Sequence, residues 1–160
     1  MALLLAPAGA GAAPVAAVTN AGGKAVVLSS LSVVKQADLD FGSLAVSGAG
    51  TAVIDPAGGV LSVTGGVAAI GTAAHRATFT ATGSRNSVVL IRLPKNPITL
   101  TRAGGTETMM VSNWTLDGNA NRKIPPGNAF NFGVGGTLNV AAGQVDGTYS
   151  GTFTVTVQYP

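Results

Sequence analysis

Residues 147–160 read GTYSGTFTVTVQYP, in which large apolar side chains alternate with serine, threonine and glutamine. Such period-two alternation predicts a β-strand with one face in a core and the other in water. The inward set is Tyr149, Phe153, Val155, Val157 and Tyr159, with Gly151 between them. An apolar strand whose open edge lacks a neighbour is a template for pairing with another chain. The pattern therefore favours a protein whose function is to assemble with other protein chains.

The rest of the chain repeats this strand-like pattern and shows no sustained helical periodicity. Short alternating runs are separated by turn residues such as Asp55-Pro56, Gly104-Gly105 and Asp117-Gly118. About ten short strands without helical crossovers predict an all-β protein, an antiparallel β-sandwich of immunoglobulin-like type. The predicted strands cover residues 25–35, 39–46, 51–54, 60–64, 76–82, 87–93, 98–102, 108–116, 129–140 and 148–159.

The charge content argues against nucleic acid as a partner. Charged residues make up only 9% of the chain, and the nine basic residues are scattered one or two at a time. A nucleic-acid surface needs clustered basic groups and stacking aromatics, and neither pattern is present in the sequence.

The N-terminal region divides the chain into three parts. Residues 1–17 combine Leu3–Leu5 with small residues that suit a cleavage site, which predicts the remnant of a signal peptide and export of the protein. An alanine-rich disordered arm is the alternative, because a basic region before the leucines is missing. Residues 18–28 are predicted to form an N-terminal arm, and residues 29–160 the β-sandwich domain. No apolar run reaches the roughly 20 residues of a transmembrane helix.

Residue types that serve in catalysis or metal binding are few and scattered in the sequence. We therefore expect neither an enzyme nor a cofactor or metal site. His75 is the only histidine, and cysteine is absent. Asp38 and Asp40 share one side of a predicted strand but are too few for a calcium site. Trp114 is the only tryptophan; a core position is its default, and a ligand-stacking position is the alternative.

Three segments resemble a family of secreted proteobacterial β-sandwich domains that is catalogued as a domain of unknown function. Members of that family resemble subunits of chaperone–usher pili (fimbriae). The segments are KQADLDFG at residues 35–42, NFGVGGTLNV at residues 131–140 and GTYSGTFTVTV at residues 147–157. The likeness covers roughly residues 26–160. Gly147, fourteen residues from the end, and the penultimate Tyr159 also match the C-terminal strand of such pilins.

The resemblance implies donor-strand exchange, in which the N-terminal arm of one subunit completes the sandwich of the next. It assigns the acceptor groove to the C-terminal strand that begins at Gly147. The candidate donor residues are Val15, Val18, Val26 and Leu28. The implied partners are identical subunits joined head to tail, with a periplasmic chaperone and an outer-membrane usher. The implied product is an extracellular surface filament that supports adhesion or biofilm formation.

The alternative hypothesis is a secreted monomeric adhesin or carbohydrate-binding β-sandwich whose own arm completes its sheet. Its candidate binding features are Trp114, Tyr149 and the polar loop of residues 119–128.

Overall fold

The computed structural model describes residues 22–160, which form eleven β-strands and no helix. This confirms the predicted all-β sandwich. The strands are β1 (Ser32–Ala37), β2 (Ser43–Ile54), β3 (Leu61–Ile70), β4 (Ala77–Thr82), β5 (Val88–Arg92), β6 (Ile98–Arg102), β7 (Thr108–Leu116), β8 (Asn121–Lys123), β9 (Ala129–Val140), β10 (Tyr149–Ser150) and β11 (Thr156–Gln158).

Strand β9 organises the larger of two antiparallel sheets. Within residues 22–160 this sheet has eight strands, with the order β1-β4-β9-β7-β6-β10 and with β2 and β3 attached beside β9. β9 is long enough to pair with β4 through residues 129–134 and with β2 through residues 136–140, while β7 occupies its other edge. The smaller sheet has the order β11-β5-β8.

The inward faces of the strands form two adjoining hydrophobic clusters. One is built around Ile54, Val111 and Leu138, and the other around Phe79 and Phe132. These side chains alternate with less buried residues along β4 and the first half of β7, as expected for strands with one buried face, whereas the middle of β9 is buried on both faces. Trp114 packs against both clusters and so joins them into one core.

The predicted strand boundaries are correct for β6, β7 and β9 and differ elsewhere. No strand forms between residues 22 and 31, although a strand was predicted over residues 25–35, because the main chain there meets no neighbouring strand. The predicted break before Thr51 is instead a register shift between Val46 and Gly50 that bends β2 without ending it. The short β8 was not predicted.

The predicted C-terminal strand pairs with each sheet in turn. Tyr149 and Ser150 pair with β6, whereas residues 156–158 pair with β5. The five residues between them have no ladder partner, because β5 and β6 are separated by a loop that contains Pro94 and Pro97. Proline has no amide hydrogen to donate to a ladder, so the partner strand is interrupted where the chain changes sheets.

Candidate functional site

An open groove of about 980 Å³ lies between the chain that leaves the end of β1, from Lys35 to Val46, and the first half of the C-terminal strand, as far as Phe153. Here the C-terminal strand means residues 147–159, which include β10 and β11. In the part of the chain that the structure describes, β1 pairs only with β4, β10 only with β6 and β11 only with β5. Each wall of the groove therefore ends in a strand edge with unpaired backbone groups.

Apolar side chains from both clusters form the floor of the groove. Trp114 and Phe153 lie with their ring centroids 4.6 Å apart, and Phe153 also meets the edge of Phe79 at 6.4 Å. Leu39 and Leu44 line the wall that follows β1. These side chains are only half-buried, apart from the buried Phe79, so a further strand laid in the groove would take more apolar surface from water.

We call the side of the domain beyond Phe153, where the lining of the groove stops, the closed end; it is tied together by Tyr159. Its hydroxyl group donates to the carbonyl oxygen of Ser29 at 3.0 Å and accepts the Ser84 N–H at 2.7 Å. A Cβ at Gly83 would lie within 3 Å of both Tyr159 and Leu31, so these groups are closely packed. The start of β1 and the end of the C-terminal strand thus meet at this end.

The opposite end, which we call the mouth, carries carboxylates. Asp38 and Asp40 follow β1 and Asp146 precedes β10. Asp38 pairs with Lys35 at 2.5 Å, and Asp40 accepts the Gly42 N–H at 2.8 Å. Because β1 ends at the mouth and the C-terminal strand begins there, the two walls of the groove are antiparallel.

Arg102 holds the C-terminal strand at the mouth. Its Nε donates to the carbonyl oxygen of Asp146 at 2.8 Å, and its guanidinium group pairs with Glu107 at 3.3 Å. Gly147, predicted from the resemblance, has a φ of 143° and lies against Arg102, where a Cβ would stand 2.8 Å from Nε. Both observations require a residue without a side chain at position 147.

The predicted inward set of the C-terminal strand lies on one side in the structure. Phe153, Val155 and Val157 pack against the cluster around Phe132, and Tyr149 packs against the cluster around Val111. The residues between them are exposed, apart from the half-buried Gln158. Gly151 passes so close to β6 that a Cβ would stand 2.5 Å from the Thr99 carbonyl oxygen.

The candidate donor residues fall outside the compact domain or outside the described residues. Val26 is 73% exposed, and Leu28 is 44% exposed. They lie beside Ser84 and Arg85 near the closed end of the groove and do not enter it. Val15 and Val18 lie outside the described residues.

The residues proposed as binding features of a monomeric adhesin form contacts within the domain. Trp114 donates its indole N–H to the Asn96 carbonyl oxygen at 3.3 Å and is packed on Phe153, so it is half-buried in the groove. The hydroxyl group of Tyr149 donates to the Val145 carbonyl oxygen at 2.6 Å. The loop of residues 119–128 contains β8 and is held by Arg122, which pairs with Asp117 at 2.6 Å.

The described residues show no grouping that could hold a metal ion. No cluster of three or more His, Asp or Glu side chains suited to a metal ion occurs in residues 22–160. His75 forms a β-bridge with Asp40 through both main chains. In the same range no helix is long and apolar enough to cross a membrane.

Sequence reasoning missed the residues that frame the groove from elsewhere in the fold. Leu44 and Asp146 have no signal of their own, because their role depends on the neighbours that the fold brings to them. The apolar Leu39 between Asp38 and Asp40 is the one local indication of a groove wall.

Comparison with known proteins assigns the chain to a family. No curated protein and no solved structure matches this chain. A family model matches residues 31–159, which include all eleven strands and leave out the arm that precedes them. The chain therefore belongs to the family described as Domain of unknown function (DUF4402).

Proposed function

We propose that this protein is a structural subunit of an extracellular filament, a pilus or fimbria, that polymerises by donor-strand exchange. The observation that carries the proposal is the groove, whose two walls are antiparallel strand edges without partners in residues 22–160. A single added strand would pair with both walls and cover the half-buried aromatic floor. Strand addition at an open sheet edge is an established mode of peptide recognition.

The occupant that fits the groove is the N-terminal arm of a second copy. The described part of the arm forms no strand, and Val27 is 93% exposed. Uncharged small and β-branched residues precede it in the sequence. Each valine-sized side chain that the groove buries would contribute roughly 1.5–3 kcal/mol, and main-chain pairing would fix its register.

The position of the arm favours an open chain of subunits. Ser29 is held at the closed end by Tyr159, so each arm leaves its own subunit there. An arm that runs antiparallel to its acceptor's C-terminal strand enters through the mouth, which stacks the closed end of one subunit on the mouth of the next. Such a head-to-tail contact does not close on itself and therefore gives a filament.

The remaining parts of the proposal come from the resemblance to secreted proteobacterial pilus subunits. The protein would be exported, would pass a periplasmic chaperone and an outer-membrane usher, and would support adhesion or biofilm formation at the cell surface. The monomeric adhesin is the less favoured hypothesis, because residues 22–28 do not fold back along β1 and Trp114 is engaged by Phe153.

Electron microscopy of sheared cell-surface material tests the proposal. Cells that make the intact protein should yield filaments, whereas a variant without residues 1–23, exported by a foreign signal peptide, should yield folded monomers. A length-matched control in which residues 15–23 are replaced by glycine and serine should also fail to assemble. Normal filaments from either variant, or an absence of filaments from the intact protein, would contradict donor-strand exchange.

A further inference from the structure

Lys24 divides the arm into segments of different chemistry. It is the only charged side chain before Lys35, and the segments around it, residues 15–23 and 25–28, contain no charge. Burying an unpaired ammonium group in an apolar groove is costly. An arm that enters such a groove must therefore leave Lys24 outside it or give it a carboxylate.

The mouth of the groove offers such a carboxylate. Four charged residues line the groove, namely Lys35, Asp38, Asp40 and Asp146. Asp38 and Asp40 have partners in Lys35 and the Gly42 amide, whereas the side chain of Asp146 forms no ion pair with any residue in 22–160. Arg102 contacts the main chain of Asp146, and its own charge is paired with Glu107.

We infer that Lys24 of one subunit docks against Asp146 of a second copy and sets how far the arm enters the groove. The inference rests on the function proposed above. With Lys24 at the mouth, residues 15–23 extend for about 30 Å toward the closed end, at roughly 3.3 Å per residue. The facing segment of the C-terminal strand, residues 149–157, has the same number of residues, so this register carries the arm along the groove-lining residues 149–153 and on to β11.

The same charges select the direction of insertion. An arm that entered in the opposite sense would carry Lys24 to the closed end, where Arg85 lies beside Ser84. Two like charges would then approach each other, whereas entry through the mouth brings opposite charges together. Repulsion of the wrong arrangement adds to the specificity that the attractive pair provides. The direction that the charges favour is the one that produces a filament.

A two-by-two binding experiment tests the inference. Fluorescent peptides with the sequence of residues 14–28, either unchanged or with Lys24→Asp, are titrated into monomeric full-length protein, either unchanged or with Asp146→Lys. We expect each single reversal to raise the Kd by roughly three- to tenfold in low salt, because exposed ion pairs are modest in strength. The doubly reversed combination should restore the Kd, and 1 M salt should reduce the differences.

Three controls make the outcome specific. The Lys24→Arg peptide should bind like the unchanged one, and Asp55→Lys, the same charge change outside the groove, should have little effect. Thermal melts show whether each protein variant is folded. Equal affinity of the unchanged and Lys24→Asp peptides would overturn the role of Lys24 and leave the proposed function intact. Failure of both peptides to bind better than a scrambled peptide would contradict the proposed function itself, and the inference with it.

Discussion

The hydroxyl group of Tyr159 donates a hydrogen bond to the carbonyl oxygen of Ser29, 3.0 Å away and 130 residues earlier in the chain. This contact joins the end of the C-terminal strand to the residue at which the arm leaves the domain. The same hydroxyl group accepts the Ser84 N–H, so three segments converge on one side chain. The direction in which the arm departs is therefore set by Tyr159.

Replacing Tyr159 by phenylalanine should destabilise the subunit and release the start of the arm. The half-buried Ser84 N–H would lose its partner, which costs about 1–3 kcal/mol. Chemical unfolding measures the loss, and hydrogen exchange at the Ser84 and Ser29 amides locates it. Tyr149→Phe is the matched control, because its hydroxyl group bonds only within the exposed 144–149 loop. A larger loss for Tyr149→Phe would show that Tyr159 does not hold the closed end.

Phe132 and Phe153 should respond differently to truncation. Phe132 is 1% exposed and stacks on Phe79 at 5.2 Å, so Phe132→Ala should cost about 3–5 kcal/mol in the free subunit. Phe153 is only half-buried on the groove floor, so Phe153→Ala should cost about half as much. Denaturant titration of the monomers measures both changes. In filaments the Phe153 variant should lose additional thermal stability, and an unchanged filament would argue against strand insertion over Phe153.

Charged substitutions along the C-terminal strand test which face is turned inward. Val155→Asp places a carboxylate among the side chains around Phe132 and should cost roughly 3 kcal/mol or more. Thr154→Asp and Thr156→Asp, on the exposed face, should change stability by about 0.5 kcal/mol or less. Thermal melts of the three variants provide the comparison. Similar losses at all three positions would mean that both faces of the strand are buried.

The glycine at position 151 should not tolerate a methyl group. In Gly151→Ala the new Cβ would stand 2.5 Å from the Thr99 carbonyl oxygen and 2.9 Å from Leu100 Cδ2, so the strand must shift away from β6. Overpacking of this kind costs about 1–3 kcal/mol. Gly127→Ala is the control, because nothing lies within 4 Å of the Cβ it would add. If both variants melt at the same temperature, the close approach of the C-terminal strand to β6 is not a constraint.

The sequence by itself determined the strands whose pattern is local. The boundaries of β6, β7 and β9 were predicted to the residue, because β6 and β9 alternate and all three strands end at Gly, Asp or Ala-Gly turns. In β7 the alternation changes face at the register shift between Ser112 and Thr115. The inward side of the C-terminal strand followed from the same alternation, since successive side chains of a strand point to opposite faces whatever their neighbours are.

Only the tertiary structure decided where the strands pair and which edges stay open. The alternation of residues 149–159 is continuous, yet the strand divides into β10 and β11 because Pro94 and Pro97 interrupt its partner. The groove likewise joins Leu39 to Phe153, which no local pattern relates. Alternation in the sequence indicates only whether a residue faces inward. Strand pairing depends on which backbone groups from distant segments come within hydrogen-bonding distance. Those distances are fixed only when the whole chain has folded.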